Sequence, residues 1–142
     1  MTNISEVYEQ AVSQHRSGNL QEAESLYRKI LEQDPNHSDA LNLLGLACYK
    51  MNRHNEALNF INRAVSLNSK NPAYHFNLGN VYGAAALLED AVRSFKLAIS
   101  LNPNYADAYV GLGNTYRAAN KLENAEASYK QALAVRSDNY EA

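Results

Sequence analysis

A spacing of 34 residues recurs along the 142-residue chain and constrains its fold more than any other feature. Self-similarity at a fixed period of this length is the signature of a repeat architecture. The spacing divides a single domain, residues 1–142, into units at 4–37, 38–71, 72–105 and 106–139. The positions that carry it are three small-residue registers and one leucine register: Ala23, Ala57, Ala91 and Ala125; Gly45, Gly79 and Gly113; Ala64, Ala98 and Ala132; Leu44, Leu78 and Leu112.

The apolar residues of each unit recur at spacings of three and four, with one break in the middle and one at the end. This pattern predicts two helices per unit and an all-α fold. In the third unit, Asn71 followed by Pro72 predicts a helix that starts at Pro72 and ends near Ala85. Asn19, three residues before Glu22, predicts a capping box at the second helix of the first unit.

The glycine register falls inside the predicted helices, where glycine costs roughly 1 kcal/mol relative to alanine. We expect a close approach of the paired helix to offset this cost at Gly45, Gly79 and Gly113. A lone pair of amphipathic helices cannot bury its whole apolar surface, so the units must stack on one another.

The motif within the units resembles a known family. Residues 77–80 (Asn-Leu-Gly-Asn) precede Tyr82, and residues 111–114 (Gly-Leu-Gly-Asn) precede Tyr116. Together with the alanine registers and Pro35 and Pro103 at unit ends, this pattern resembles the tetratricopeptide repeat over residues 4–139. The resemblance implies an all-α, right-handed superhelix of four helical hairpins. The third unit is also similar to the repeat superhelix of O-linked N-acetylglucosamine transferases.

The last residues parallel the start of the fourth unit, because 138–142 (Asp-Asn-Tyr-Glu-Ala) matches 104–108 (Asn-Tyr-Ala-Asp-Ala). The parallel predicts a fragment that stops three residues into a fifth repeat, at 140–142. We then expect the last helix to leave an apolar face partly uncovered, formed by Ala125, Tyr129, Ala132 and Leu133. Such a face predicts self-association.

No set of residues predicts catalysis. Cys48 shares the register of Tyr82 and Tyr116, which predicts a buried, inert thiol. No glycine-rich phosphate loop is present, and the acids fall mainly in the first turns of helices. The histidines occupy four different registers, unlike paired metal ligands: His15, His37, His54 and His75. We therefore predict a protein that is not an enzyme and has no catalytic residue, metal or cofactor.

Charge and composition argue against two classes of partner. The chain has 13 Lys and Arg against 15 Asp and Glu, a net charge of −2, whereas nucleic-acid binding usually requires a dense cationic surface. No apolar run has the length of a membrane span. A single cysteine and the lack of a signal sequence predict a cytoplasmic protein.

The resemblance implies that the first helices of the units line a concave groove that binds a peptide or protein. The cationic clamp with which some family members hold a terminal carboxylate is missing. Asn77, Asn80 and Asn114 form a short amide row suited to a peptide backbone. By register the groove contains Tyr8, Asn42, Leu46, Tyr49, Lys50, Phe76, Asn77, Asn80, Asn114 and Arg117, together with Glu9, Val12, Arg16, Leu43, Ala84, Val110 and Gly111.

The leading hypothesis is therefore a non-catalytic protein-interaction module that binds a partner in this groove. One alternative is the N-terminal, substrate-recruiting arm of a larger enzyme, such as a glycosyltransferase, sulfotransferase or methyltransferase. RNA binding by related helical hairpins is disfavoured by the period of 34 and the neutral charge. Oligomeric scaffolding through the last helix is a further possibility.

Overall fold

A computed structural model describes the backbone of residues 3–141 and the side chains of residues 3–137. This part of the chain contains eight α-helices and no strand. The helices are α1 (Ile4–Arg16), α2 (Leu20–Gln33), α3 (Ser38–Lys50), α4 (His54–Leu67), α5 (Pro72–Ala84), α6 (Leu88–Leu101), α7 (Ala106–Ala118) and α8 (Leu122–Glu141).

Consecutive helices pack in pairs, and each pair falls within one predicted repeat. The prediction of two helices per unit is confirmed. The four repeats fall into two larger compact units with two hairpins in each. Hereafter the first unit is Met1–Ser69 and the second unit is Lys70–Ala142. In the first unit α2 also packs against α3, and in the second α6 packs against α7.

Both predicted helix starts are confirmed, but only one of the two predicted caps forms. Helix α5 begins at Pro72, where the side chain of Asn71 accepts a hydrogen bond of 3.0 Å from the Ala73 amide. The capping box at α2 is wrong, because the Asn19 side chain makes no capping bond. Its amide instead donates to Gln14 Oε1 at 2.7 Å, which ties the turn to the preceding helix.

All four hairpins turn in the same way. The residue two positions after each first helix has a positive φ: 85° at Gly18, 62° at Asn52, 61° at Ala86 and 60° at Asn120. In each turn this residue and the next donate backbone hydrogen bonds to the end of the preceding helix, as in a Schellman motif. Glycine adopts this conformation freely and asparagine tolerates it, whereas alanine is strained there.

The glycine register brings the paired helices close together, as predicted. A Cβ at Gly45 would lie 2.4 Å from Ile61, and one at Gly113 would lie 2.6 Å from Tyr129. Phe95, which is 2 % exposed, lies against two glycines, since a Cβ would come within 2.7 Å of its ring at Gly79 and 2.6 Å at Gly111. The side chains therefore leave no room for a methyl group at these contacts.

Helix α8 is longer than its counterparts, with 20 residues against 14 in α2, α4 and α6. Those three helices are followed by Asp34, Asn68 and Asn102, residues that compete with the helix for backbone hydrogen bonds. In α8 the equivalent position holds Arg136, and arginine is a good helix former. The predicted boundary at 139 therefore lies inside α8.

The expected uncovered face on α8 is wrong for most of its residues. Ala125 and Ala132 are buried and Tyr129 is half-buried. This follows because α8 packs against α7 in its own hairpin. Leu133 alone of the four is exposed, at 63 %. The side chains of the expected fifth repeat, 140–142, lie outside the described residues.

Candidate functional site

The first unit contains an open cleft of about 480 Å³ between α1 and α3, with Tyr27 of α2 at its base. Six residues that the sequence assigns to the groove lie together in this cleft: Tyr8, Val12, Arg16, Leu43, Leu46 and Lys50. The full lining is Tyr8, Val12, His15, Arg16, Tyr27, Leu43, Leu46 and Lys50.

Helical spacing explains why these side chains converge. On α1, Val12 follows Tyr8 by four residues, and His15 and Arg16 follow Val12 by three and four. On α3, Leu46 follows Leu43 by three residues and Lys50 follows Leu46 by four. Residues three and four apart share one helix face. The two faces enclose an apolar patch formed by Val12, Leu43 and Leu46, which are all half-buried.

Tyr8 forms an aromatic wall at one end of the cleft. Its ring stacks on His37, with ring centroids 5.3 Å apart and planes 27° from parallel. Burial, and then the nearby charge of Asp39, raise the pKa of Tyr8. The hydroxyl therefore stays protonated at neutral pH and can act as a hydrogen-bond donor.

A buried polar pair lies at the base. His15 is 8 % exposed, and its Nδ1 lies 3.0 Å from the hydroxyl oxygen of the fully buried Tyr27. Among the residues that the structure describes, His15 Nε2 has no hydrogen-bond partner. Burial, and then the charge of Lys50, lower the pKa of His15, so the imidazole is neutral at pH 7.

Two cations lie at the other end. Arg16 and Lys50 are the last residues of α1 and α3, and both side chains are exposed. Within residues 3–137 neither forms an ion pair. None of the eight lining residues is acidic. The cleft therefore combines an apolar floor with unpaired positive charge.

The remaining predicted residues of the first unit lie elsewhere. Asn42 is buried, and Tyr49 is half-buried with its ring 5.9 Å from that of His54. Neither belongs to the lining of the cleft.

In the second unit the predicted residues are spread over several environments. Phe76 is half-buried, with its ring centroid 5.9 Å from that of Phe95 and 5.0 Å from that of Tyr105. Asn77, at 8 % exposure, is a core residue. Asn80 is half-buried.

Asn114 and Arg117 are both exposed on α7. The Tyr129 hydroxyl donates to Asn114 Oδ1 at 2.5 Å, which orients the amide. Of the predicted amide row, Asn80 and Asn114 are therefore the members that reach the surface, one on each first helix of this unit.

The structure gives little support for a nucleophilic cysteine or a metal site in the described residues. Cys48 is fully buried, as predicted, and burial raises the pKa of its thiol, which disfavours the nucleophilic thiolate. Across the described part of the chain, no three His, Cys, Asp or Glu side chains converge as metal ligands would. A second cleft, of about 300 Å³, lies in the other unit and contains none of the predicted groove residues.

His15 and Tyr27 are the lining residues that sequence reasoning did not assign to the groove. A signal was present, because His15 shares the register of Tyr49 and Arg117, which were assigned to it. Tyr27 belongs to the register of large apolar core residues, and its hydroxyl reaches the base of the cleft from there.

Comparisons with known proteins agree with the repeat pattern. Three family models described as tetratricopeptide repeats match residues 14–78, 72–105 and 106–139. A search of curated proteins finds no match. Within the described residues, no helix combines the length and apolar character that a membrane crossing requires.

Several solved structures are similar over most of the chain. A crystal structure of MamA is 21% identical with a TM-score of 0.90, over 99% of this chain and 82% of that one. YrrB, described as a TPR protein with an unusual peptide-binding site, is 24% identical with a TM-score of 0.82, over 95% of this chain and 70% of that one. An O-GlcNAc transferase variant from Thermobaculum terrenum is 32% identical with a TM-score of 0.78, over 82% of this chain and 23% of the transferase.

These likenesses establish the fold. They confirm the all-α class and the helical-repeat solenoid type that the 34-residue period predicts. Because fold does not determine function, the role of the chain must be argued from its surface.

Proposed function

Because the chain belongs to the tetratricopeptide repeat family, we propose that it is a non-catalytic interaction module that binds a peptide segment of a protein partner along the first helices of its hairpins. The observation that carries the proposal is the cleft between α1 and α3. Its volume lies within the range of ligand pockets, about 300–1,000 Å³, and its apolar floor with few polar groups is typical of them.

The chemistry of the cleft suits a peptide better than a small metabolite. The apolar patch of Val12, Leu43 and Leu46 can take a bulky side chain, while Tyr8 offers a hydroxyl donor to a backbone carbonyl. YrrB, which shares the fold, is described as having a peptide-binding site, and this adds a precedent among similar structures.

We infer that the second unit, taken by itself, offers contacts to a peptide backbone. Asn80 and Asn114 occupy the same register on α5 and α7, and an amide both donates to and accepts from a peptide group. Since Tyr129 occupies one side of Asn114 Oδ1, the Nδ2 group of that residue is the natural donor to a ligand carbonyl. Such contacts add affinity without reading side chains.

Selection from a library of random 12-residue peptides displayed on phage tests the proposal. The parent chain is expected to enrich peptides that bind in solution, and Leu46→Glu in the cleft is expected to abolish their binding. Leu97→Glu makes the same change at an exposed leucine on α6 and is expected to leave binding intact. Loss of binding in both variants, or in neither, would contradict a site in the cleft.

A second set of variants tests the amide contacts. We expect Asn80→Ala combined with Asn114→Ala to weaken peptides that bind the second unit by a similar factor whatever their sequence, because the lost bonds are to backbone. Selective loss of some peptides would show that these amides read side chains instead.

We also propose weak self-association through α8. Leu122 and Leu133 are 62 % and 63 % exposed, and a spacing of 11 residues places them on one helix face. Sedimentation velocity should show a concentration-dependent dimer that Leu133→Lys removes and Leu97→Lys retains. A chain that stays monomeric at high concentration would refute this part of the proposal.

We infer a cytoplasmic location and no affinity for nucleic acid. The single, buried cysteine supports the location, and the net charge of −2 supports the lack of affinity for nucleic acid. Cell fractionation tests the location. Binding of single-stranded RNA at low salt would contradict the second inference.

The recruiting arm of a larger enzyme is a second candidate. It is favoured by the 32% identity to a stretch covering 23% of an O-GlcNAc transferase. Peptide binding by α1 and α3 is common to both candidates, so the discriminating observation is the reading frame downstream of codon 142. A glycosyltransferase, sulfotransferase or methyltransferase domain there would support the arm, and an early stop codon would refute it.

A further inference from the structure

Unpaired positive charge is concentrated at one end of the cleft in a chain whose net charge is negative. Arg16 and Lys50 contribute two cations to eight lining residues that include no acid. Lys50 also lies near enough to the base of the cleft to lower the pKa of His15. Glu9 does not line this cleft; it lines an adjoining pocket on α1 that shares Tyr8, Val12 and Arg16 with the cleft.

The position of the cations at helix ends does not explain them. A cation in the last turn complements the helix dipole, so Arg16 and Lys50 have a possible structural role. Helix α7 likewise has Arg117 in its last turn. Helix α5, however, has the same length of 13 residues and no basic residue in its last turn, where Ala84 takes the equivalent position. A first helix of this protein can therefore form without a cation at its end.

The apolar patch lies next to these cations on the same two helix faces. Val12 is four residues before Arg16, and Leu46 is four residues before Lys50, so each apolar side chain is one helical turn from a positive charge. A ligand that fills the patch thereby brings its neighbouring residue within reach of a cation.

We propose that this cleft selects peptide segments in which a bulky aliphatic side chain adjoins an aspartate or glutamate, with the aliphatic group on Val12, Leu43 and Leu46 and the carboxylate between Arg16 and Lys50. The inference rests on the proposed function and names its ligand class. Charge complementarity supports it, because an acidic side chain neutralises two cations that have no described partner of their own.

The test uses four fluorescein-labelled peptides with the core Leu-Leu-X-X-Leu in a Gly-Ser frame. Three of them have an amidated C-terminus and carry Glu, Gln or Lys at both X positions. The fourth carries Gln at both X positions and has a free C-terminal carboxylate. Fluorescence polarisation measures the dissociation constant of each peptide for the intact chain. We expect the dissociation constant of the Glu peptide to be lower than that of the Gln peptide by a factor of about ten or more, and the Lys peptide to bind most weakly.

Charge-removing variants locate the effect. In the double variant Arg16→Gln and Lys50→Gln, the preference for Glu over Gln should disappear, so that the two peptides have the same dissociation constant. The control pair Lys29→Gln and Arg63→Gln removes the same charge from exposed positions on α2 and α4, and should keep the preference. Circular dichroism confirms that each variant is folded.

Each other outcome overturns the inference. Equal affinity for the Glu and Gln peptides would reject it. Tighter binding of the Lys peptide, or of the peptide with a free carboxylate, than of the Glu peptide would also reject it. A preference that persists in the double variant would place the acidic contact elsewhere. Failure of all four peptides would also reject it, while the proposed function would stand if peptides selected from the random library still depend on Leu46.

Discussion

Replacing Gly79 by alanine should destabilise the second unit, and Gly83 provides a control in the same helix. A Cβ at Gly79 meets the ring of Phe95 at 2.7 Å, whereas one at Gly83 meets no atom within 4 Å. The Phe95 ring cannot simply move away, because it also lies against Gly111 and is 2 % exposed.

The two substitutions share one energetic effect and differ in another. Alanine gains up to about 1 kcal/mol of helix propensity at either position. Overpacking at Gly79 costs about 1–3 kcal/mol. We therefore expect Gly83→Ala to be neutral or stabilising, and Gly79→Ala to be less stable than Gly83→Ala by about 1–3 kcal/mol.

Urea unfolding followed by circular dichroism at 222 nm measures the difference. A double-mutant cycle adds a direct test of the contact: in a Phe95→Leu background, which frees space at the ring, Gly79→Ala should cost less than in the parent. Equal free energies of unfolding for Gly79→Ala and Gly83→Ala would refute the close-approach explanation of the glycine register.

Four further predictions concern single residues. The pKa of Glu24 is lowered to about 2, chiefly by its hydrogen bond to Arg53, so the free energy of unfolding should fall as the pH drops from about 4.5 to 2. Glu24→Gln should flatten that fall and cost about 1–2 kcal/mol, a figure reduced because the Arg53 side chain is 34 % exposed. His15 has a lowered pKa, so the unfolded chain takes up the proton first, and urea unfolding should show stability decreasing below about pH 6.5 in the parent but less in His15→Gln. Cys48 should react with a thiol reagent such as dithionitrobenzoate far more slowly in the native chain than in urea, and fast native labelling would contradict its burial. Ala86→Gly should raise the free energy of unfolding by about 0.5–1 kcal/mol, because it relieves a positive φ; a loss of stability would contradict that strain.

The fold was largely predictable because its determinants are local and repeated. Apolar residues at helical spacing, with the 34-residue period, predict the pairs of helices, and Asn71 with Pro72 predicts the start of α5. The turns were harder. Gly18 is an obvious turn residue, whereas Ala86 adopts the same positive φ because the Schellman hydrogen bonds impose it.

The site was predictable in part. Register placed Tyr8, Leu46 and Lys50 on the helix faces that line the cleft, since face depends only on spacing. Burial depends on tertiary packing as well, and so Asn77 lies in the core although its register matched the groove. His15 was missed because it was judged by residue type rather than by register.

The length of α8 shows a further limit. The period predicts where the fourth unit should end, but local propensity at Arg136 favours continuation of the helix. A repeat register therefore predicts helix pairs more reliably than it predicts the last turn of a chain.

An NMR titration shows where in the first unit a peptide binds. The amidated Glu peptide would be added to the ¹⁵N-labelled chain while backbone amide shifts are followed. We expect the shifts in the first unit to concentrate on α1 and α3, with the largest changes near Val12, Leu43 and Leu46. Shifts confined to α2 and α4, or absent from the first unit at peptide concentrations that saturate binding, would contradict it.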